Sequence, residues 1–403
     1  MLPMMPHELA PLRVLLLSAI GTRINPYLGL LQGGLTAAGA EVRLAERLTA
    51  ADLGPDRRPD VIHLHWLDRY DLPPEIVVHG LGRGDDLPRR AARRFLEAGA
   101  NAAAIYQARR WLRLRRLFRR LHAFQRAGGR VIYTVHNLAG HDGEGLADRW
   151  GAGRLIRQAD ALHVHDASTQ EAVAARYGRR THVCVIPHGH YLHSYPNAMD
   201  RSTARARLDL PDDAFVYVTL GLWRPYKGLE ELVRAFRSLP DAGALLLLAG
   251  APRPAAYADA VRGLAGDDQR IRLFPRFVPP DQVQLFLNAA DICVLPYRQI
   301  TTSGAALLAF SFGLPIIAPA IGGFPGLVED RRGLLYDPTK RDGLARGLAA
   351  ARQREWRGAR AEILAWVAQF DWAAIGRELL ALYRSTGAAA SRPTQIHRLQ
   401  TGS

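Results

Sequence analysis

Cysteine is scarce in this chain: Cys184 and Cys293 are the two in 403 residues. Two thiols are too few for a disulfide framework or a cysteine-rich zinc cluster. Both sit in apolar runs that read as buried strands, which fits inert thiols in a reducing compartment. No apolar run approaches the roughly 20 residues that a spanning helix needs. The start, Met1-Leu2-Pro3, has no basic segment, and the apolar run Val14 to Ile20 is short and ends at Gly21. It reads as a first strand rather than a signal peptide, and the expected location is the cytoplasm. The fingerprint G-x-G-x-x-G is missing after that strand, which counts against a dehydrogenase. No Asp-x-Asp occurs in a loop suited to hold a divalent metal. Acidic residues are also few, 38 against 53 basic ones, giving a net charge of +15. Such a balance permits nucleic acid, but no aromatic and basic interleaving on a recognisable module supports it, and no nucleic-acid partner is expected.

What is present is enough chain for two cores. Short apolar runs alternate with helical spacing throughout, which predicts α/β domains with parallel sheets. In the first half the strands fall at Arg13 to Ser18, Val42 to Ala45, Val61 to His65, Val131 to His136, Ala161 to His165 and Val183 to Ile186. In the second they fall at Phe215 to Leu220, Ala244 to Ala249, Ile271 to Phe274, Ile292 to Leu295 and Ile316 to Ala318. The polar stretch Tyr195 to Asp212 is the natural linker.

Two strand-loop-helix segments have the chemistry of anion cradles. In the first, the strand through Leu220 ends at Gly221, and Leu229, Leu232, Val233 and Phe236 follow at helical spacing. Arg224 and Lys227 lie between. An arginine forks two phosphate oxygens and a lysine adds a compact charge, so the pair suits a diphosphate. In the second, Ile292 to Leu295 precede Thr302-Ser303-Gly304 and a helix from Ala305 to Phe312. Free amides and the helix dipole favour an anion at such a start, although an ordinary N-cap explains the loop equally well if taken alone.

The segments WRPYKG, PYRQITTSG and FGLPIIAPAIGGFPGLVED together resemble the family 4 nucleotide-sugar-dependent glycosyltransferases, from about Leu12 to Tyr383. That resemblance implies the GT-B fold, two facing Rossmann-like domains with a cleft between them. It places an acceptor-side domain at 1–195, a donor domain at 196–371, a terminal helix at 372–384 crossing back to the first domain, and a flexible tail at 385–403. It implies that Arg224, Lys227, Thr302, Ser303 and Gly304 bind the donor diphosphate, with Gly21 and Asn25 in a loop against the donor or acceptor. One departure stands out. Most members have two glutamates across the second loop and helix, and the matching positions here are Ile300 or Thr301 and Leu308 or Ala309.

Histidines end several strands of the first half: His63 and His65, His136, His163 and His165, and His188. In an open parallel sheet such ends face the ligand crevice. His136 with Asn137 and His141 resembles the family's VHN...H segment, and His188-Gly189 its PHG turn. His136 is the leading catalytic candidate beside Arg224 and Lys227. His165 and Asp166 follow, because an Asp beside a strand-end His can orient it or a substrate hydroxyl.

Charge is concentrated in one stretch. Arg83 to Arg130 holds 14 arginines against three acids, which is most of the net excess. Trp111, Leu114, Leu117, Phe118, Leu121 and Phe124 share one helical face, with arginines on the other. The Arg109 to Arg120 helix suits both packing on the sheet and attraction to anionic lipid headgroups at the inner face of the membrane.

The function expected is a retaining glycosyltransferase moving a sugar from a GDP- or UDP-sugar to a glycan or lipid-linked acceptor, in exopolysaccharide or cell-surface glycan synthesis. With cations and amides holding the leaving diphosphate, no cofactor and no metal are expected. The alternatives are a nucleotide-sugar epimerase-like or phosphorylase-like GT-B enzyme, or a non-catalytic binder of sugar nucleotide or membrane.

Overall fold

The computed structural model describes residues 10–20, 26–67, 70, 99–138, 146–329, 331–356 and 358–386. Gly21, Asn25 and His141 lie outside these residues, as do most of the tail and much of the arginine-rich stretch before Gly99.

Two six-stranded parallel sheets account for the α/β, GT-B architecture. The first is ordered β2-β1-β3-β4-β5-β6: β1 Arg13–Leu17, β2 Glu41–Ala45, β3 Val61–Leu64, β4 Arg130–Thr134, β5 Ala161–Val164 and β6 Val183–Val185. The second is ordered β12-β11-β10-β7-β8-β9: β7 Phe215–Leu220, β8 Ala244–Ala249, β9 Ile271–Phe274, β10 Ile292–Val294, β11 Ile316–Pro319 and β12 Gly333–Tyr336. The chain order reverses beside β1 in one sheet and beside β7 in the other. Crevices open at such switch points, between β1 and β3 and between β7 and β10.

Helices cover the faces. In the first half they are α1 Tyr27–Ala37, α2 Gly99–Arg126, α3 Leu146–Gln158 and α4 Ala167–Tyr177. From the connection onward they are α5 Arg201–Arg207, α6 Leu229–Arg237, α7 Tyr257–Ala265, α8 Val283–Ala289, α9 Gly304–Ser311, α10 Phe324–Leu327, α11 Gly343–Gln353, α12 Ala359–Ala368 and α13 Trp372–Ser385. Strands such as Ala244–Ala249 are buried on both faces, which explains their unbroken apolar runs. Helix α6 buries Leu229, Leu232, Val233 and Phe236 completely, the stripe expected from spacing.

Three expectations need correction. The connecting stretch is not an open linker: α5 sits in it, and Arg205 is fully buried. Its guanidinium donates to the carbonyls of Ala289, Pro211, Asp212 and Ala214 and pairs with Asp291 at 2.9 Å, so a polar sequence packs as core. Strand β12 was missed, because Gly333 opens it and only Leu334 and Leu335 follow before Tyr336. On α2, Leu114, Leu117, Phe118, Leu121 and Phe124 are buried, but Trp111 is 38% exposed. In place of a tryptophan the helix buries Arg110, which pairs with Asp148 at 2.8 Å and donates to the carbonyls of Leu67 and Tyr70.

The last helix packs on the first. On α1, a Cβ at Gly34 would lie 2.1 Å from the Trp372 carbonyl oxygen, and one at Gly376 would lie 2.1 Å from the Gly34 oxygen. The two backbones touch, which only glycine allows. Around that joint Tyr27, Leu28, Leu31 and Leu35 share a core with Trp372, Ile375, Leu379 and Tyr383.

Candidate active site

The crevice is built from both sheets. After β7, Arg224 is extended and leads into a single 3-10 turn, Pro225–Lys227. Gly228 follows at φ 69°, and a Cβ there would meet the Pro296 oxygen at 2.1 Å. The glycine of WRPYKG is therefore required by the close approach of the segment after β10, whose Arg298 N–H donates to the Tyr226 oxygen at 2.8 Å. Lys227 Nζ lies 5.3 Å over the ring of buried Tyr297, against Gly221 at the strand end. Desolvation, with repulsion from Arg224 second, lowers its pKa to about 8. The neighbouring Cys293 thiol is pushed up to about 12 by burial, so it stays neutral beside the ammonium.

Tyr297 links the two cradles. Its hydroxyl is hydrogen-bonded to Ser303, which is 3% exposed and caps α9 by accepting from the Ala306 N–H at 3.2 Å. The N-cap explanation of Ser303 is thus correct. It also places the free amides of that helix start at the same switch point as Lys227 and Arg224.

The opposing rim comes from the first domain, and it touches the second loop directly. Thr301 Oγ1 donates to the His136 carbonyl oxygen. Thr302 Oγ1 donates to Asp166 Oδ2 at 2.7 Å. At Gly304 a Cβ would lie 3.2 Å from the Tyr191 hydroxyl and 3.7 Å from His188 Nε2. The structure therefore brings His136, Asp166 and His188 against Thr301, Thr302 and Gly304. Asn137 follows His136 on the same rim, half-buried. Asp166 also caps α4: its Oδ1 accepts from the Thr169 N–H at 2.7 Å and from the Ser168 and Thr169 hydroxyls.

The histidines divide into two groups. His63 and His163 belong to a buried chain of hydrogen bonds whose directions are forced. The Ile186 carbonyl can only accept, so His163 Nε2–H donates to it at 2.9 Å. His163 Nδ1 then accepts from Thr134 Oγ1 at 2.9 Å, Thr134 accepts from His63 Nε2–H at 2.7 Å, and His63 Nδ1 accepts from the Tyr383 hydroxyl at 2.7 Å. Every member is satisfied while neutral, which is core construction rather than catalysis.

His65, His136, His165 and His188 instead surround Tyr27, with ring centroids 4.9 to 5.9 Å from it. His136 stacks on Trp66 at 3.9 Å, and Trp66 holds a left-handed backbone, φ 45°. Strain of that kind at a bulky residue persists only where the surroundings fix it. His165 Nδ1 donates to the Ile186 oxygen at 3.3 Å, and among the described residues its buried Nε2 lone pair and His65 Nε2 have no hydrogen-bond partner. Desolvation first, and mutual repulsion second, hold His65, His136 and His165 well below the usual imidazole range. Burial lowers His188 to about 4. Tyr27, Trp66, Tyr191, Tyr297 and Trp372 were not among the expected site residues. Their positions carried no chemistry of their own in sequence.

Of the four glutamate-replacing positions, Thr301 keeps a polar side chain, bonded to the His136 carbonyl, and the other three are apolar. Ile300 and Leu308 pack against the core of the second domain, and Ala309 is buried within it.

A Rossmann-like pair facing across a crevice is the GT-B design, and sequence comparison agrees over both halves. The family described as glycosyl transferases group 1 matches residues 214–353, and the glycosyl transferase 4-like domain matches residues 24–189. The chain belongs to this group 1, family 4-like set of glycosyltransferases. It is 27% identical over 262 residues, 65% of this chain, to a GDP-mannose:glycolipid 4-beta-D-mannosyltransferase of Xanthomonas campestris pv. campestris. It is 31% identical over 296 residues, again 65% of this chain, to a D-inositol 3-phosphate glycosyltransferase of Geodermatophilus obscurus. The chain spans about 62 and 63% of the length of these two relatives. In fold it is similar to HepE of Anabaena solved with UDP-glucose, TM-score 0.64 at 17% identity, over 93% of this chain and 100% of that one. A sucrose-phosphate synthase from Thermosynechococcus elongatus gives 0.63 at 20% identity, over 94 and 99%.

Proposed function

We propose that this protein is a retaining glycosyltransferase that moves a sugar from a GDP- or UDP-sugar to a glycan or lipid-linked acceptor, in exopolysaccharide or cell-surface glycan synthesis. The observation that carries the reading is the convergence of Arg224, Lys227 and the α9 start at one switch point, faced by His136, Asp166 and His188. The relative named for GDP-mannose and a glycolipid supports a nucleotide-sugar donor and a lipid-linked acceptor, and HepE, crystallised with UDP-glucose, supports UDP equally.

As the glycosidic bond loosens, negative charge grows on the departing diphosphate. Arg224, Lys227 and the amides of Ser303 and Gly304 are preorganised to meet it, with Lys227 half-buried at the strand end. A bound diphosphate would restore the lysine's charge. On the opposite wall His136 and His165 offer neutral imidazoles, and Asp166 a carboxylate, to sugar or acceptor hydroxyls. The charge on the leaving group is met by protein cations, so the reaction proceeds without metal. Work in the cytoplasm, with the arginine face of α2 against the inner leaflet, fits a lipid-linked acceptor.

A non-catalytic role is the second reading, favoured by one observation: Ile300 and Leu308 occupy core packing where a carboxylate would otherwise enter the crevice. A donor panel by thermal shift, followed by turnover with chelator present, separates the cases. Nucleoside diphosphate release that needs acceptor, persists in EDTA and yields a product of retained anomeric configuration supports the proposal. Epimer formation without acceptor, or binding without turnover, would replace it.

A further inference from the structure

Two consecutive residues grip one histidine. His65 and Trp66 follow β3 directly, and both lie against His136, two residues beyond β4. His65 Nδ1 is 3.0 Å from His136 Nε2, and the Trp66 ring stacks on the His136 ring at 3.9 Å and 10°. Successive side chains of an extended strand point to opposite faces, so neighbours in sequence do not ordinarily reach the same target. The left-handed φ of 45° at Trp66 breaks that alternation and brings its indole to the ring that His65 already holds. Such a backbone is costly for a tryptophan, and here it has a use. The grip is anchored at both ends. The His65 backbone N–H donates to the Leu17 oxygen at 3.0 Å, and the His136 carbonyl accepts from Thr301 of the other domain.

We propose that His65 and Trp66 are positioning residues that hold His136 in the tautomer with its hydrogen on Nδ1, so that His136 meets a substrate as a donor and not as a base. Burial keeps both imidazoles neutral, so each carries one hydrogen, and one of the two nitrogens in contact must donate. His65 Nε2 decides which. It is buried and has no hydrogen-bond partner among the described residues. If His136 Nε2–H were the donor, the hydrogen of His65 would sit on Nε2, an N–H sealed in the interior with no acceptor. If His65 Nδ1–H is the donor, Nε2 is left as a bare lone pair. His165 shows that this cluster accommodates the second kind of orphan: its Nδ1–H donates to the Ile186 carbonyl, so its equally buried Nε2 is a lone pair. Orphaned N–H groups are rare in folded interiors.

His136 Nε2 is therefore the acceptor, occupied by His65, and Nδ1–H is the group left for a substrate oxygen. An Nδ1–H has no lone pair with which to take a proton from an acceptor hydroxyl. It can donate to a sugar hydroxyl or to an oxygen of the departing diphosphate. That role rests on the proposed function, whereas the tautomer does not.

The tautomer is read without substrate, from long-range proton–nitrogen NMR spectra of the full chain labelled on histidine, with His136 assigned by the signal lost in His136→Gln. The expected result is a protonated Nδ1 and a bare Nε2 on His136. His65→Leu should let the Nε2–H form appear, and His65→Asn, whose amide N–H can stand where Nδ1–H stood, should restore the parent spectrum. A protonated Nε2 in the unaltered chain overturns the proposal without recourse to any variant, and a His136 spectrum unchanged by His65→Leu overturns the part given to His65. In turnover His65→Leu should lower kcat about tenfold, the worth of one hydrogen bond, and His65→Asn should recover most of it. Trp66→Gly relieves the left-handed backbone, so it should fold normally yet lose several-fold in kcat, while Trp66→Phe keeps the stack and the activity. Full turnover in Trp66→Gly overturns the part given to Trp66. An unaltered chain that shows Nδ1–H on His136 but transfers no sugar overturns the proposed function and leaves the tautomer standing.

Discussion

Thr302 Oγ1 donates to Asp166 Oδ2 at 2.7 Å, joining the loop before α9 in one domain to the strand-end rim of the other. The carboxylate is already committed on Oδ1 to capping α4, so it is a fixed post rather than a swinging side chain. Thr302→Val should lower kcat/KM by about 10- to 100-fold, the worth of one hydrogen bond to a charged group, about 1.5–3 kcal/mol. Because the bond is already made in the free protein, Thr302→Val should also cost up to about 1.5–3 kcal/mol of stability. Asp166→Ala removes the cap as well and should lose about 1 kcal/mol more. The double variant should lose no more activity than Asp166→Ala alone, because both changes cut the same bond. Additive losses in kinetics would show that the two residues act separately.

Arg224→Ala and Lys227→Ala should each reduce kcat by about 100- to 1000-fold, as removal of a preorganised charge stabiliser does. Lys227 adds a pH signature. Its pKa is lowered to about 8, first by desolvation and then by Arg224, so the free enzyme holds the ammonium below that pH and loses it above. The profile of kcat/KM should fall on the alkaline side near pH 8, and Lys227→Arg should move that limb upward while keeping measurable activity. An alkaline limb unchanged by the arginine would mean that another group titrates there.

The buried histidines make stability acid-sensitive. Burial holds His163 and His188 at about 4, against an unfolded value near 6.5, and His63, His65, His136 and His165 well below it. The unfolded chain therefore binds more protons, and stability rises with pH across this range. The contribution is full above about pH 6.5 and is lost progressively down to about pH 4, at up to about 1.4 kcal/mol per pH unit for each histidine. Urea midpoints at pH 7.5, 6 and 5 should fall in that order. Thr134→Val leaves His63 and His163 each short of one partner and should cost about 1–3 kcal/mol at neutral pH.

The proposed membrane attachment rests on α2. Arg110 is buried and Arg120 donates to the Leu48 carbonyl, so neither is available to lipid. Arg109, Arg116 and Arg119 are exposed, beside Trp111 and Leu112 at 38 and 51% exposure. Replacing these three arginines with glutamine should weaken binding to phosphatidylglycerol vesicles by about 100-fold at low salt, at about 1 kcal/mol per residue. Circular dichroism should be unchanged, and flotation that persists in the triple variant would remove α2 from the interaction.

Much of the scaffold was legible because buried parallel strands leave unbroken apolar runs and α6 leaves a clean stripe. Most strand predictions fell within a residue of the observed ends. Arg205 and Arg110 were not legible as core, since only the fold shows that a ring of carbonyls awaits each guanidinium. The proposed phosphate side of the site was visible because its chemistry is local to two short loops. The aromatic lining was not: Tyr27, Trp66 and Trp372 come from segments up to 345 positions apart and acquire meaning only where they meet. His63 and His163 look like rim residues in sequence, and only Thr134 and Tyr383 show them to be interior.

The contact of α13 with α1 has a consequence for biosynthesis. Tyr383 accepts from Arg130 through its carbonyl and donates to His63 through its hydroxyl, and α13 fills the core beneath Tyr27. The half that carries α1 thus lacks one wall until α13 has been made. At about 5–20 residues per second that gap lasts on the order of tens of seconds. During it the second sheet and its helices can finish folding before the half that precedes them in sequence.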